Sequence, residues 1–370
     1  MESNKIYEVA LGMLPGIGGG LTKLLVSYCG SAERIFNTPK GKLKKIPGIG
    51  EKLAETVIAN KNILIEAEKI VEKAIKENTQ ILFYIDKNYP ERLKNINDAP
   101  AILYFKGNTT LSPDKTVGIV GTRNATEYGK NTVDKIIEAI KIYNPVIISG
   151  LAYGIDIAAH QSALSHGLET IGCMATGIDK IYPSTHTTIA KKMETCGGLL
   201  TEYPYGKKAN PDQFPARNRI IAGMCDVLIV VEAAAKGGAL ITAEMANDYN
   251  REVFAIPGNI DQKYSEGCNK LILNHQAHIF TDIQAFERIM NWTSDNHMPA
   301  NEIKPKALVL DGLENEEINI YQLLSNQETL LIDELSWKSN IPISKLASVL
   351  LNMEFKGVLK SLPGKRYKLA

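Results

Sequence analysis

The sequence predicts an α/β protein built on a parallel sheet, with a helical head before it and a winged-helix-like tail after it. Three observations carry that expectation. Through the middle of the chain, short β-rich runs alternate with amphipathic stretches, at residues 81–85, 101–105, 117–120, 146–149, 170–174, 227–231 and 253–256. Such alternation builds a parallel sheet with helices on both faces. Residues 7–75 instead space their apolar side chains three and four apart, the pattern of packed helices. At the far end, helical runs at 316–324, 330–338 and 343–355 precede VLKSLPGKRYKLA, where residues 362–365 would turn a hairpin. Three helices and a terminal hairpin are the elements of a winged helix.

Taken in order, the elements divide the 370 residues into a helical head (1–76), a sheet domain (77–290), a linker (291–306) and a winged-helix-like tail (307–370). The linker, NWTSDNHMPANEIKPK, is polar, holds two prolines and has no periodicity. Apolar residues make up 44% and charged residues 22%, values that disfavour long disorder, collagen repeats and coiled coils. The formal net charge of +1 excludes nucleic-acid binding through bulk charge, so any such contact needs a local patch. No apolar leader core opens the chain, and an apolar run such as 227–231 is far too short to span a bilayer. A cytoplasmic protein without a membrane partner is expected. The five cysteines lack metal-ligand spacing, so neither a metal site nor a disulfide framework is indicated.

In the head, Leu14-Pro15-Gly16-Ile17-Gly18 and Ile46-Pro47-Gly48-Ile49-Gly50-Glu51-Lys52 each read as the hairpin of a helix-hairpin-helix (SAM-like) module. Their glycines permit a tight turn and leave helix N-terminal N–H groups free for a phosphate. The second copy, with Lys42, Lys44, Lys45 and Lys52 around it, makes Gly48, Gly50 and Lys52 a possible secondary DNA contact. The first copy reads as structural.

In the sheet domain, Val117 to Val120 run into Gly121-Thr122-Arg123-Asn124, a strand meeting a glycine turn ahead of a helix. A phosphate could rest on that turn, with Arg123 supplying a planar fork. Neither a complete GxGxxG nor an acidic ribose reader accompanies it, since Ser149-Gly150 ends the next strand, so a nicotinamide cofactor is not expected. Ser149 and Gly150 stand where open parallel sheets bind ligands. Beyond them Asp156 and His160 are one helical turn apart, a spacing compatible with a catalytic pair or, more commonly, a capping or packing contact. Arg217, Asn218 and Arg219 place three donors near a helix start, and Lys236, Gly237, Gly238 and Thr242 open the backbone and offer a hydroxyl after the 227–231 run.

GTRNATEYG, SGLAYGIDIAAH, TGIDKIYP, FPARNRIIAG, GGALITAEMA and VFAIPG follow one another as in the DNA processing protein A (DprA/Smf) family, which residues 81–286 resemble. The resemblance implies an extended Rossmann-like domain that binds single-stranded DNA, forms homodimers, protects incoming strands and loads the RecA recombinase during natural transformation, without catalysis. By motif position Arg123 matches the basic residue of the family's first glycine turn, and Arg217, Asn218 and Arg219 its arginine block. These, with Lys236, would form one groove for backbone phosphates. Where members often carry lysine in SGLAxGID this chain has Tyr153, which could stack on a base instead; Lys236, Lys207 or Lys208 could restore the charge. Two alternatives remain open at this stage. One is a nucleotide-binding or phosphoribohydrolase-like protein, whose PGGxGTxxE is only loosely echoed by Lys236 to Thr242. The other is an adaptor whose terminal domains bind proteins.

Overall fold

The computed structural model describes residues 2–60, 62–292, 314–325, 329–362 and 366–369. Residues 293–306 of the expected linker and 363–365 of the expected hairpin turn lie outside them. Two compact units result, residues 1–294 and 295–370.

The first unit opens with α1 (Glu2–Met13), α2 (Gly19–Cys29), α3 (Ala32–Asn37), α4 (Lys40–Leu43), α5 (Glu51–Ala59) and α6 (Asn62–Lys76). The strands follow: β1 (Gln80–Phe83), β2 (Ile102–Gly107), β3 (Thr116–Val120), β4 (Val146–Gly150), β5 (Thr170–Cys173), β6 (Gly197–Thr201), β7 (Val227–Val230), β8 (Glu252–Ala255) and β9 (His278–Ile279). Between them lie α7 (Glu91–Lys94), α8 (Glu127–Ile140), α9 (Ile155–Ser165), α10 (Thr187–Met193), α11 (Gln213–Met224), α12 (Gly238–Asp248) and α13 (Glu266–Leu273), and α14 (Ile283–Met290) ends the unit. One nine-stranded sheet has the order β1-β2-β6-β5-β4-β3-β7-β8-β9.

From β6 through β9 in that order every pairing is parallel. The wholly parallel sheet expected from the alternation needs correction at one edge, where β1 pairs β2 and β2 pairs β6 antiparallel. A parallel crossover needs a helix-sized connection. The segment before β2 carries only the one-turn α7, and no helix separates β2 from β3. The alternation also passed over β6 and β9. β6 begins on Gly197-Gly198, and the Gly197 φ of 125° is closed to other residues, so the strand shows few β-formers.

Both faces of the sheet are apolar, which is why its strands read as unbroken Val/Ile runs. Val227 and Ile229 pack with α8, α9 and α14 on one face, while Leu228 and Val230 pack with α11, α12 and α13 on the other. The head helices share a hydrophobic cluster with the antiparallel edge, Val9, Leu25 and Val57 joining Phe83, Ile102 and Tyr104. In the second unit, α15 (Asn315–Ser325), α16 (Ile332–Ser339) and α17 (Ile343–Phe355) pack on a three-stranded sheet of β10 (Leu330–Leu331), β12 (Arg366–Leu369) and β11 (Leu359–Leu362). The pairing of β11 with β12 makes the wing. No described helix is long and apolar enough to cross a membrane.

Candidate nucleic-acid interface

The carboxyl ends of the central strands point their loops to one rim, and there a cavity of about 570 Å³ opens. Gly121, Arg123, Arg217, Asn218, Lys236, Gly237, Gly238 and Thr242 line it, so most of the residues expected from sequence meet in one place. Ala152, Asp156, Tyr182, Phe214, Ala233 and Ala234 complete much of its wall.

The loop after β3 is built around Glu232, which follows β7 and is buried. Its carboxylate accepts the Thr126 N–H at 3.0 Å and the Thr126 hydroxyl at 2.6 Å, while its backbone carbonyl accepts Thr122 N–H at 2.7 Å. Gly154, with a φ of 80°, brings the start of α9 against this loop, where Ile155 N–H donates to the Thr122 carbonyl at 3.1 Å. A side chain at Gly154 would lie 2.6 Å from the Arg123 carbonyl carbon. Thus Glu232 holds the arginine loop, a role that sequence reading missed because nothing in EAAAKGG marks a carboxylate as turned inward.

The expectation placed a phosphate on the glycine turn itself, and the start of the helix that follows, α8, is partly capped from within. The Thr126 hydroxyl caps α8 by accepting Gly129 N–H, and Glu232 takes the Thr126 N–H. The free terminus belongs to α12, which starts after Gly237 with no side-chain cap and no acid in its first turn, and it faces the cavity. Uncapped N–H groups and the helix dipole favour an anion there. Thr242 does not add a hydroxyl to this terminus. It is buried and donates back to the Gly238 carbonyl at 2.8 Å.

The cations fall into three kinds. Arg123 and Lys236 are exposed, and neither enters an ion pair among the described residues; the Arg123 guanidinium lies 5.3 Å from the Phe214 ring centre. Arg217 is buried, with Nη1 donating to the Cys173 carbonyl and Nε to Asn218 Oδ1 at 3.2 Å. Arg219 does not line the cavity and instead pairs with Glu202, just past the end of β6, at 2.5 Å. The single groove expected from Arg123, Arg217, Arg219 and Lys236 therefore needs correction. Residues two apart on a helix face different ways, and on α11 Arg217 reaches the end of β5 while Arg219 is taken up by Glu202 after β6. Lys207 and Lys208 are exposed but do not line the cavity.

Ser149 and Gly150 are corrected similarly, since both are buried beneath the cavity rather than on its wall. Ser149 donates to the Ile119 carbonyl at 2.6 Å. A Cβ on Gly150 would collide with Asp156 Oδ2 and lie 2.6 Å from Arg217 Nη2, so only glycine lets those two groups meet over β4. Burial raises the Asp156 pKa to about 6, against the pull of the neighbouring Arg217 charge and the Ala152 N–H. Asp156 and His160 do not form a pair. The His160 ring lies between Thr170 Oγ1 at 2.7 Å and the Gly150 carbonyl at 2.8 Å, and burial pushes its pKa down to about 4.

Asn124 and Tyr153 line a neighbouring, more open hollow with Arg123, Lys130 and Gly154. Tyr153 is half-exposed and set edge-on to His186 at 5.0 Å. Sequence reading also missed the aromatic pair at the cavity mouth, Tyr182 and Phe214, with ring centres 5.7 Å apart. Both lie within TGIDKIYP and FPARNR, where a lone ring among charged residues gives no sign of its partner in the other motif. In the head, Gly48 has a φ of 81° and Gly50 caps α5 in extended geometry. There Glu51 pairs with Lys40 at 3.1 Å and Lys44 at 2.6 Å, leaving Lys52 exposed. The first hairpin is packed inward, because a side chain on Gly19 would lie 2.7 Å from the Ala99 carbonyl. No group of side chains suited to a metal ion occurs among the described residues.

Residues 80–291 match the DNA recombination-mediator protein A family, and residues 304–365 match the DprA winged helix domain. Protein Smf of Synechocystis sp. is 31% identical over 395 residues, covering 99% of each chain. The X-ray structure of DNA processing protein A from Streptococcus pneumoniae is similar with a TM-score of 0.62 and 34% identity, over 76% of this chain and 95% of that one. DNA processing protein A from Helicobacter pylori, studied for its single-stranded DNA binding mode, gives a TM-score of 0.52 and 30% identity, over 58% of this chain and 95% of that one.

Proposed function

The chain belongs to the DNA recombination-mediator protein A family, and from that premise we propose that it binds single-stranded DNA at the rim cavity without regard to most of the sequence. The observation that carries the reading is that two exposed cations, Arg123 and Lys236, which enter no ion pair among the described residues, line the same cavity as an uncapped helix terminus. Two such charges and a row of free N–H groups hold a phosphodiester backbone, and the exposed rings of Tyr153 and Tyr182 offer faces on which unpaired bases stack. A duplex keeps its bases stacked on one another, so those rings favour single strands.

The same reading has the protein bind rather than turn over its DNA. The cavity's acid is buried beside Arg217, and the nearby histidine is neutral and committed to two internal hydrogen bonds. In this proposal the chain acts as a homodimer in the cytoplasm, protects incoming strands during transformation and delivers them to the RecA recombinase. The H. pylori relative studied for single-stranded DNA binding supports the DNA part of that sequence.

Fluorescence anisotropy of labelled single-stranded and duplex oligonucleotides, titrated at several salt concentrations, tests the proposal. Single strands should bind more tightly, with log affinity falling against log salt at roughly −0.7 per phosphate neutralised. Binding to neither form at low salt would overturn the reading and bring a free nucleotide forward as the ligand.

A further inference from the structure

The helical head meets the sheet through apolar packing and through charged contacts, one of which reaches the loops of the rim. α6 turns Ala67, Val71 and Ala74 inward. Glu66, Glu68, Lys69, Glu72 and Lys76 on the same helix are exposed, whereas Lys73 is half-buried. The Lys73 ammonium lies 3.2 Å from Asp179 Oδ2, 4.5 Å from the centre of the Tyr205 ring and 3.9 Å from Glu77 Oε1, one turn along its own chain. The Tyr205 hydroxyl donates to Thr79 Oγ1, just after α6, at 2.7 Å. One cation of the head thus grips two residues that lie far apart in the sequence.

Those two residues belong to the loops that carry the aromatic mouth. The loop after β5 holds Asp179 and then Tyr182, and the loop after β6 holds Tyr205 and leads into α11, where Phe214 stands. The loops are tied to each other at their bases. The Thr201 hydroxyl donates to the Thr176 carbonyl at 2.7 Å, Gly206 N–H to Asp179 Oδ1 at 2.8 Å and Gly177 N–H to the Lys207 carbonyl at 2.9 Å. A side chain on Gly177 would lie 2.4 Å from the Pro204 carbonyl oxygen, so this approach needs glycine. Ile178 and Ile181 pack into the hydrophobic cluster of the head from the same side. Past these ties, residues 206–212 are exposed and form no helix or strand, so their course is set from the base.

We infer that Lys73 is a positioning residue for strand binding: from the head it fixes, through Asp179 and Tyr205, the two loops that bring Tyr182 and Phe214 together at the cavity mouth. The head is then a strut for the interface as well as a neighbouring module. This inference rests on the single-strand reading above and adds to it residues that act on the strand without touching it. A half-exposed ion pair adds little to stability, so cutting it should disturb the mouth while the fold stands.

The test uses the full-length protein and a labelled single strand of roughly 12 nucleotides, read by anisotropy. Lys73→Met should weaken binding ~2- to 30-fold with Tm nearly unchanged, and Lys73→Arg, which keeps a cation beside Asp179 and Tyr205, should restore it. The slope of log affinity against log salt should match that of the unaltered protein; a loss of about 0.7 from it would make Lys73 a phosphate contact and overturn the positioning role. Asp179→Asn keeps an oxygen for Gly206 N–H but loses the charge. It should weaken binding as Lys73→Met does, with the double variant no weaker, and it decides the matter if Lys73→Met does not fold. In a Tyr182→Ala background Lys73→Met should cost nothing further, because the ring it positions is gone. Lys5→Met cuts another contact between head and sheet, Lys5 to Asp86 at 2.5 Å, which joins neither loop, and should leave affinity unchanged. Equal weakening by Lys5→Met would overturn the inference by tracing the effect to docking of the head in general. Unaltered affinity in Lys73→Met would overturn it while leaving the single-strand reading intact, whereas failure of the unaltered protein to bind at low salt would remove both.

Discussion

The sheet rim and the third helix of the tail both belong to folds that can meet nucleic acid, yet they are provisioned in opposite ways. At the rim, Arg123 and Lys236 are exposed without ionic partners among the described residues. On α17 the charged residues are Lys345 and Glu354; Lys345 pairs with Glu316, and Glu354 accepts from Ser361. Beside their polar residues, α17 and the preceding α16 expose two large rings, Trp337 and Phe355, each 82% accessible. The wing strands do carry exposed Lys360, Arg366 and Lys368. Fold class alone does not make a phosphate site. The deciding quantity is how much positive charge remains after internal pairing.

The comparison sharpens most if the rim's charge has two layers, a buried one that shapes the loop ends and an exposed one that meets the ligand. Arg217→Met removes the buried layer and leaves Asp156 without its neighbouring cation. It also leaves the buried Cys173 carbonyl without its donor, and losing one partner of a buried hydrogen bond costs about 1–3 kcal/mol, which for a unit of this size lowers Tm by ~2–12 °C. Thermal unfolding followed by circular dichroism measures it. An Arg217→Met protein with unaltered Tm but lost DNA affinity would place Arg217 in the exposed layer and break the distinction.

Asp156 gives the next effect. Its folded pKa of about 6 lies above the ordinary 3.8, so the native state holds that proton more tightly than the unfolded chain does. The stability this group contributes is present below pH 3.8 and is lost as pH rises through 6. It amounts to at most about 3 kcal/mol. Relative to Asp156→Asn, the unaltered protein should therefore lose stability between about pH 4 and pH 7 in urea unfolding series. His160 acts with the opposite sign, because its pKa is held near 4 and protonation on the acid side favours unfolding. The two effects oppose each other in the unaltered protein, and the variant exposes one of them. A difference that does not change with pH would mean that Asp156 is not held in a low-dielectric floor.

Much of this architecture was legible because buried parallel strands advertise themselves. Residues 117–120 and 227–231 are apolar on both faces and could be read without ambiguity. The antiparallel edge was not legible, since orientation there follows from missing crossover helices rather than from composition. At the site, the motifs named most of the cavity wall but not the direction of each side chain. Arg217 and Arg219 look equivalent in FPARNR and differ only once the helix fixes their bearings. Burial hid Ser149 in the same way, since a serine at a strand's end reads as a ligand contact until its hydroxyl is found on Ile119. Asp156 was legible as a chemical group, but its place as a cavity floor needed the Gly150 approach to be seen.

The remaining contrast is between the exposed cations themselves. Arg123→Glu should weaken single-strand binding ~10- to 100-fold, as expected for losing a charge-assisted contact of about 1.5–3 kcal/mol, and should leave Tm nearly unchanged because the side chain is exposed. Lys345→Glu makes the same charge reversal on α17, where the lysine is already engaged by Glu316, and should alter affinity by less than about twofold. Both variants are read by the same anisotropy titration at one salt concentration. If the two reversals weaken binding equally, the tail shares the DNA and pairing with Glu316 does not withhold Lys345 from phosphate. If only Arg123→Glu does so, unpaired charge at the rim accounts for the affinity, and the charge on α17 is left without a part in holding the strand.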